Sequence, residues 1–154
     1  MRNFNDADRK KKKARIKTKE NPANLTAEEL ARLEAAVKKS LKEGYLACPT
    51  AFKLAREARV PGIAIGEVTD RLGVRITDCQ IGFFKVEKTV FKGTVSQTAD
   101  KEIAGILADL SQNGELTCAS VFALARKLKR TPLEVADVAN NHQLKIHQCQ
   151  LGCF

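Results

Sequence analysis

The sequence predicts a mainly helical protein with short β-strands, built as two tandem units of one pattern, helix, strand, helix, helix, strand, behind a disordered basic tail. Three observations carry this. The chain repeats itself at a spacing of 70 residues; apolar residues recur every three to four positions in matching stretches of both copies; and cap and turn residues divide those stretches at matching places.

The repeat aligns residues 44–84 with 114–154 without a gap, and 13 of 41 positions are identical: Gly44/Gly114, Leu46/Leu116, Cys48/Cys118, Phe52/Phe122, Leu54/Leu124, Ala55/Ala125, Arg56/Arg126, Val68/Val138, Ile76/Ile146, Cys79/Cys149, Gln80/Gln150, Gly82/Gly152 and Phe84/Phe154. Unrelated segments of ordinary composition would share about 2 or 3. Both copies end in Cys-Gln-[Ile/Leu]-Gly-x-Phe. The period exceeds that of a solenoid repeat, so each copy can hold a small core of its own. The expected division is a basic arm over residues 1–24, one unit over 25–93 and a second over 94–154.

The first unit opens at Thr26, where Glu29 three residues on completes a capping box. Leu30, Leu33, Val37 and Leu41 then predict an amphipathic helix ending near Gly44, and Ile103, Ile106, Leu107 and Leu110 predict its counterpart, ending at Asn113-Gly114. Tyr45-Leu46 and Glu115-Leu116 have room for one bridge of β structure each. Cys48 before Pro49 reads as the cap of a second helix containing Phe52, Leu54 and Ala55, matched by Phe122, Leu124 and Ala125. A third helix follows Val60-Pro61-Gly62 with Ile63, Ile65 and Val68. Its counterpart follows Thr131-Pro132, a cap before a proline, with Leu133, Val135 and Val138. Val74-Arg75-Ile76 and Leu144-Lys145-Ile146 alternate as strands do. The apolar parity then slips, which predicts a turn or bulge near Asp78 and Gln148. Residues 85–93 link the units. Only eleven residues follow Gln143, enough for one strand or a tight hairpin; alternatively the units exchange or pair their strands, with Gly82 and Gly152 allowing close approach.

The net charge of +9 is unevenly placed. Residues 1–22 hold nine Lys/Arg against three acids, a balance of +6, and the remainder holds 18 against 15, or +3. Arg9, Lys10, Lys11, Lys12, Lys13, Arg15, Lys17 and Lys19 crowd one stretch, which self-repulsion and the lack of apolar groups should keep disordered, and which attracts phosphates through counterion release. A solubilising tail is the plainer reading. No apolar run is long enough for a bilayer, and no apolar segment follows the basic start, so the expected location is the cytoplasm, without a membrane partner.

Five cysteines disfavour a complete disulfide framework. Cys48/Cys118 and Cys79/Cys149 recur in the repeat and read first as small buried hydrophobes. The sharper alternative is a redox or metal site around Cys149, Cys153, His142 and His147. Both histidines lie in the second copy alone, so a duplicated Cys–His catalytic site is excluded. With no Gly-rich phosphate loop, paired-carboxylate motif or nucleophile elbow, the expectation is a protein that is not an enzyme and needs no cofactor.

Leu116-Thr117-Cys118 with Phe122-x-Leu124-Ala125, then Thr131-Pro132-x-Glu134-Val135-Ala136, then Leu144-Lys145-Ile146, follow one another in an order that resembles the winged helix-turn-helix family. The resemblance covers almost everything from Thr26 onward. It implies two winged-helix-like units forming an intramolecular pseudo-dimer, with the third helices, residues 64–73 and 133–143, entering a DNA major groove. Glu67, Asp70, Glu134 and Asp137 on those helices depart from that role, because phosphate repels them; Asn140 and Asn141 could bond adenine edges. The second helices are richer in cations: Lys53, Arg56 and Arg59 in one unit, Arg126, Lys127, Lys129 and Arg130 in the other. They read as phosphate contacts or as a solvated face. Arg71, Arg75 and Lys145 complete the candidate nucleic-acid-binding residues.

These features lead to the expectation of a nucleic-acid-binding protein, specifically a DNA-binding transcriptional regulator, with RNA as the other polyanion the arm could take. The alternative is a protein-interaction module built on winged helices, with thiol or metal sensing as a possible addition.

Overall fold

The computed structural model describes residues 19–83 and 97–154, together with Ala7, Lys10 and Ala14. Within them are six helices and one two-stranded parallel sheet. The chain divides into two compact units. Unit 1 is Met1–Cys79 with Gln150–Phe154, and unit 2 is Gln80–Cys149.

Unit 1 is organised earlier than Leu25. The Asn21 side chain accepts from Leu25 N at 2.9 Å and donates to Leu25 O at 2.8 Å, clasping the approach to the first helix. Helix α1, Ala27–Lys39, starts with the expected capping box: Glu29 N donates to Thr26 Oγ1 at 3.2 Å and Thr26 N to Glu29 Oε2 at 2.8 Å. It buries Leu33 and Val37 and stops at Lys39, short of Gly44. Glu43 and Gly44 both take positive φ, 51° and 82°, in a tight turn closed by two mutual backbone hydrogen bonds between Lys42 and Tyr45.

Strand β1, Tyr45–Ala47, pairs in parallel with β2, Arg75–Thr77, with Leu46 opposite Ile76. Three residues pair here, so the sequence expectation of a single bridge is corrected for this unit; the connecting helices bring β2 alongside. Helix α2, Cys48–Ala58, and helix α3, Gly62–Leu72, follow, and α3 packs on α1, α2 and β2. Cys48 is not the cap of α2: Ala47, at φ −68° and ψ 138°, is, and Cys48 is the first helical residue with its thiol buried. Val37, Leu46, Ala51, Ile65 and Val68 are fully buried, each larger side chain contributing about 1.5–3 kcal/mol. Thr69, also buried, donates its hydroxyl to Gly66 O at 2.8 Å.

The last five residues of the chain complete this core. Leu151 is 1% exposed, and its carbonyl lies so close to Gly66 that a Cβ there would fall 1.8 Å from the oxygen. At Gly62 a Cβ would meet Gln150 O at 3.0 Å. The missing side chains of α3 form the slot that admits the terminal backbone.

Unit 2 has helix α4, Gln97–Gln112, helix α5, Cys118–Leu128, and helix α6, Pro132–Asn141, with α6 packed on both others. The bridge between Thr117 and His147 takes the place of the sheet: Cys118 N donates to His147 O at 3.0 Å and His147 N to Leu116 O at 2.9 Å. Ile81, Leu107, Leu116, Val121 and Val135 are fully buried. Gly82, at φ 79°, lies against Leu133, where a Cβ would come 2.9 Å from its Cδ1.

The units therefore differ at their ends from the 25–93 and 94–154 division. Beyond its cysteine, each end motif belongs to the compact unit of the other copy: Gln80, Ile81 and Gly82 to unit 2, and Gln150–Phe154 to unit 1. The change of unit follows the turns at Asp78 and Gln148, left-handed at φ 53° and 50°. This is the exchange that short end strands and permissive glycines allow, carried by irregular segments rather than by strands. The inter-unit stretch 85–93 lies outside the described residues.

Candidate nucleic-acid interface

The two second helices are amphipathic for the same reason. Cys48, Ala51, Leu54 and Ala55 face the core of unit 1, and Cys118, Val121, Leu124 and Ala125 that of unit 2, at spacings of three, three and one. The remaining arc carries the cations: Lys53, Arg56 and Arg59 are exposed, as are Arg126, Lys127 and Lys129. Helix α5 has a cap that the sequence reading missed. Thr117 Oγ1 accepts from Ser120 N at 3.2 Å, and Ser120 Oγ from Thr117 N at 2.8 Å; the Thr-x-x-Ser spacing was its signal.

Both helices end identically. Arg59 and Lys129 are left-handed C-caps, at φ 55° and 53°. Val60 N closes onto Ala55 O and Arg130 N onto Ala125 O, each at 2.9 Å. Glycine is the residue such a position favours, since it has no Cβ to crowd the backbone.

Ion pairs sort the remaining candidates. Arg71 is held by Glu67, at 2.9 Å, and by Glu34, at 3.2 Å. Arg130 pairs with Glu134 at 3.5 Å, and Lys53 loosely with Glu57 at 3.8 Å. Among the described residues no carboxylate pairs with Arg56, Arg59, Arg126, Lys127 or Lys129. Arg75 is half-buried in β2, while Lys145, Asn140 and Asn141 are exposed. Lys10 and Lys19 of the arm are exposed, and Ala7, Lys10 and Ala14 are helical, against the disorder expected of the arm; Arg9, Lys11, Lys12, Lys13, Arg15 and Lys17 lie outside the described residues.

The acids of the third helices are engaged rather than presented. Glu134 accepts from Thr131 N at 2.7 Å and from Thr131 Oγ1 at 2.9 Å, and these bonds, the backbone one foremost, hold its carboxyl below the usual range despite burial. Thr26 N holds Glu29 down in the same way. Glu67 is neutralised by Arg71. The lowered pKa keeps Glu134 ionised, and what offsets the third-helix charges toward phosphate is their pairing, Glu67 with Arg71 and Glu134 with Arg130.

Two further features bear on function. Cys48, Cys79 and Cys118 are buried, Cys149 and Cys153 partly so, and none of the five is in a disulfide. Among the described residues no three His, Cys, Asp or Glu side chains gather as a metal-binding group. On unit 1 a groove of about 340 Å³ runs between α1 and α2, floored by Leu33, Ala36, Leu54 and Ala58. Extending the 70-residue spacing places Ile106 and Leu128 opposite Ala36 and Ala58, so the groove exists where unit 1 has two small residues. The repeat alignment held that signal.

No helix among the described residues is long and apolar enough to cross a membrane. No family model, curated protein or solved structure matches the chain significantly.

Proposed function

We propose that this protein binds nucleic acid, and that it is a DNA-binding transcriptional regulator made of two winged-helix-like units and a basic arm. The observation that carries the reading is the set of exposed cations at the ends of α2 and α5, present in both units and paired with no carboxylate among the described residues. The order helix, strand, helix, helix, strand in unit 1 supports the winged-helix reading, in which two like units in one chain stand in for the two subunits of a dimeric regulator. The arm supplies sequence-independent attraction, and the cations of the second helices set position. Asn140 and Asn141, exposed at the end of α6, are the groups suited to base edges.

The test is binding to random-sequence duplex DNA across a salt series, comparing the full chain with one shortened to begin at Asn21. That start keeps the clasp onto Leu25. Retained binding with a smaller salt slope supports the regulator; complete loss of binding with the arm refutes a role for the folded units. In the second case the groove on unit 1 favours the other reading, a protein-interaction module that takes an apolar side chain of a partner between α1 and α2.

A further inference from the structure

We propose that Arg56 with Arg59, and Arg126 with Lys129, are two copies of a two-cation clamp, each holding one phosphate of duplex DNA. The inference rests on the nucleic-acid reading and names the part of the surface that touches the backbone.

The two copies of the repeat show which charges are kept within this chain. Positive charge is retained at 56/126 and 59/129. Around them it is not: Glu57 stands opposite Lys127, Lys53 opposite Ala123, Val60 opposite Arg130 and Arg71 opposite Asn141. Positive charge is also retained at 75/145, but there Arg75 is half-buried in β2, so 56/126 and 59/129 are the retained pairs whose members are exposed in both copies.

Within each copy the two residues are three apart and flank the end of the helix. Arg59 N donates to Arg56 O at 3.2 Å, and Lys129 N to Arg126 O at 3.3 Å, so a closed backbone ring sets the separation of the two attachment points. All four side chains are exposed and none is spent on a described carboxylate. Arginine adds a planar donor fork suited to phosphate oxygens.

The second cation of each pair occupies a left-handed cap. The helix dipole favours a cation near a helix C-terminus, but it does so equally at right-handed positions of the last turn, where no crowding arises. Both copies place a cation at this left-handed cap, so the position of the second charge relative to the helix end is the same in the two units.

The test uses the full chain and random-sequence duplex DNA, with affinity read across a salt series. Three variants are compared with the parent: R56Q/R59G, R126Q/K129G, and K38Q/K42Q, which removes two exposed charges elsewhere on unit 1. Each clamp variant should bind several-fold more weakly and lower the slope of log affinity against log salt by about 0.9, the value for one phosphate contact. K38Q/K42Q should change the slope by less. Glycine suits the cap, so the melting temperature should stay near that of the parent. The single variants R56Q and R126Q, which leave the caps intact, repeat the measurement should either double variant melt early. Clamp variants that bind like K38Q/K42Q overturn the clamp while leaving nucleic-acid binding in place. A parent chain that binds no duplex at any salt overturns both.

Discussion

Gly66→Ala tests the seating of the terminal segment most directly. A methyl group at Gly66 would lie 1.8 Å from Leu151 O, whereas real Cβ contacts stay above 3.0 Å, so backbone must move by about 1.2 Å. Either α3 shifts, at about 1–3 kcal/mol for overpacking, or the segment withdraws and Leu151 loses its burial, at about 1.5–3 kcal/mol. Replacing a helical glycine by alanine returns up to about 1 kcal/mol. The net loss should be about 1–2 kcal/mol, read by urea unfolding of the full chain. Gly105→Ala is the matched control: it lies within α4, and a Cβ there meets nothing within 4 Å, so the same substitution should stabilise by about 0.5–1 kcal/mol. Opposite signs for one chemical change are the expected result. If Gly66→Ala is neutral or stabilising, Leu151 does not occupy that slot and the assignment of the last five residues to unit 1 is wrong.

Four other outcomes follow from the same structure. Ala58→Leu puts into unit 1 the residue that its repeat carries at Leu128; it should fill the groove and raise stability by about 0.5–2 kcal/mol in a denaturant titration, and a loss of stability would contradict the groove geometry. Thr131→Ala removes the cap of α6 and should cost about 1 kcal/mol. Glu134 has a lowered folded pKa, so its contribution is present above its unfolded value of about 4.3 and is lost as pH falls through the folded value. Glu134→Gln should therefore remove part of the acid-side slope of stability below about pH 4.3, and an unchanged slope would show that the carboxylate is not held by Thr131. With a thiol reagent under native conditions, Cys149 and Cys153 should react first and Cys48, Cys79 and Cys118 only on unfolding; early reaction of Cys48 would refute its burial at the start of α2.

Much of the architecture was legible in local chemistry. Thr26 with Glu29 and Thr131 before Pro132 marked helix starts because they satisfy backbone N–H groups within three residues, and both form in the structure. The apolar spacing located the helices, and the parity slip located the left-handed turns at Asp78 and Gln148. Boundaries were less legible. Proline after Cys48 pointed one residue too far, because an extended Ala47 provides the cap conformation without a side-chain bond. The sequence also listed the cations of the candidate interface without showing all their partners; Arg71 meets Glu67 at the i, i+4 spacing, but its second partner, Glu34, is 37 residues away and no spacing rule supplies it.

The sequence by itself determined the duplication, the six helices among the described residues and the concentration of charge, since each depends on identity, periodicity or composition along the chain. Tertiary structure decided which unit each end motif completes. Gln80-Ile81-Gly82 and Gln150-Leu151-Gly152 are so alike that local preference cannot assign them; the choice rests on which core has a slot, and on unit 1 that slot is made by Gly62 and Gly66 against the backbone of Gln150 and Leu151. Close packing depends on atoms far apart in the chain, so it becomes visible only when they meet.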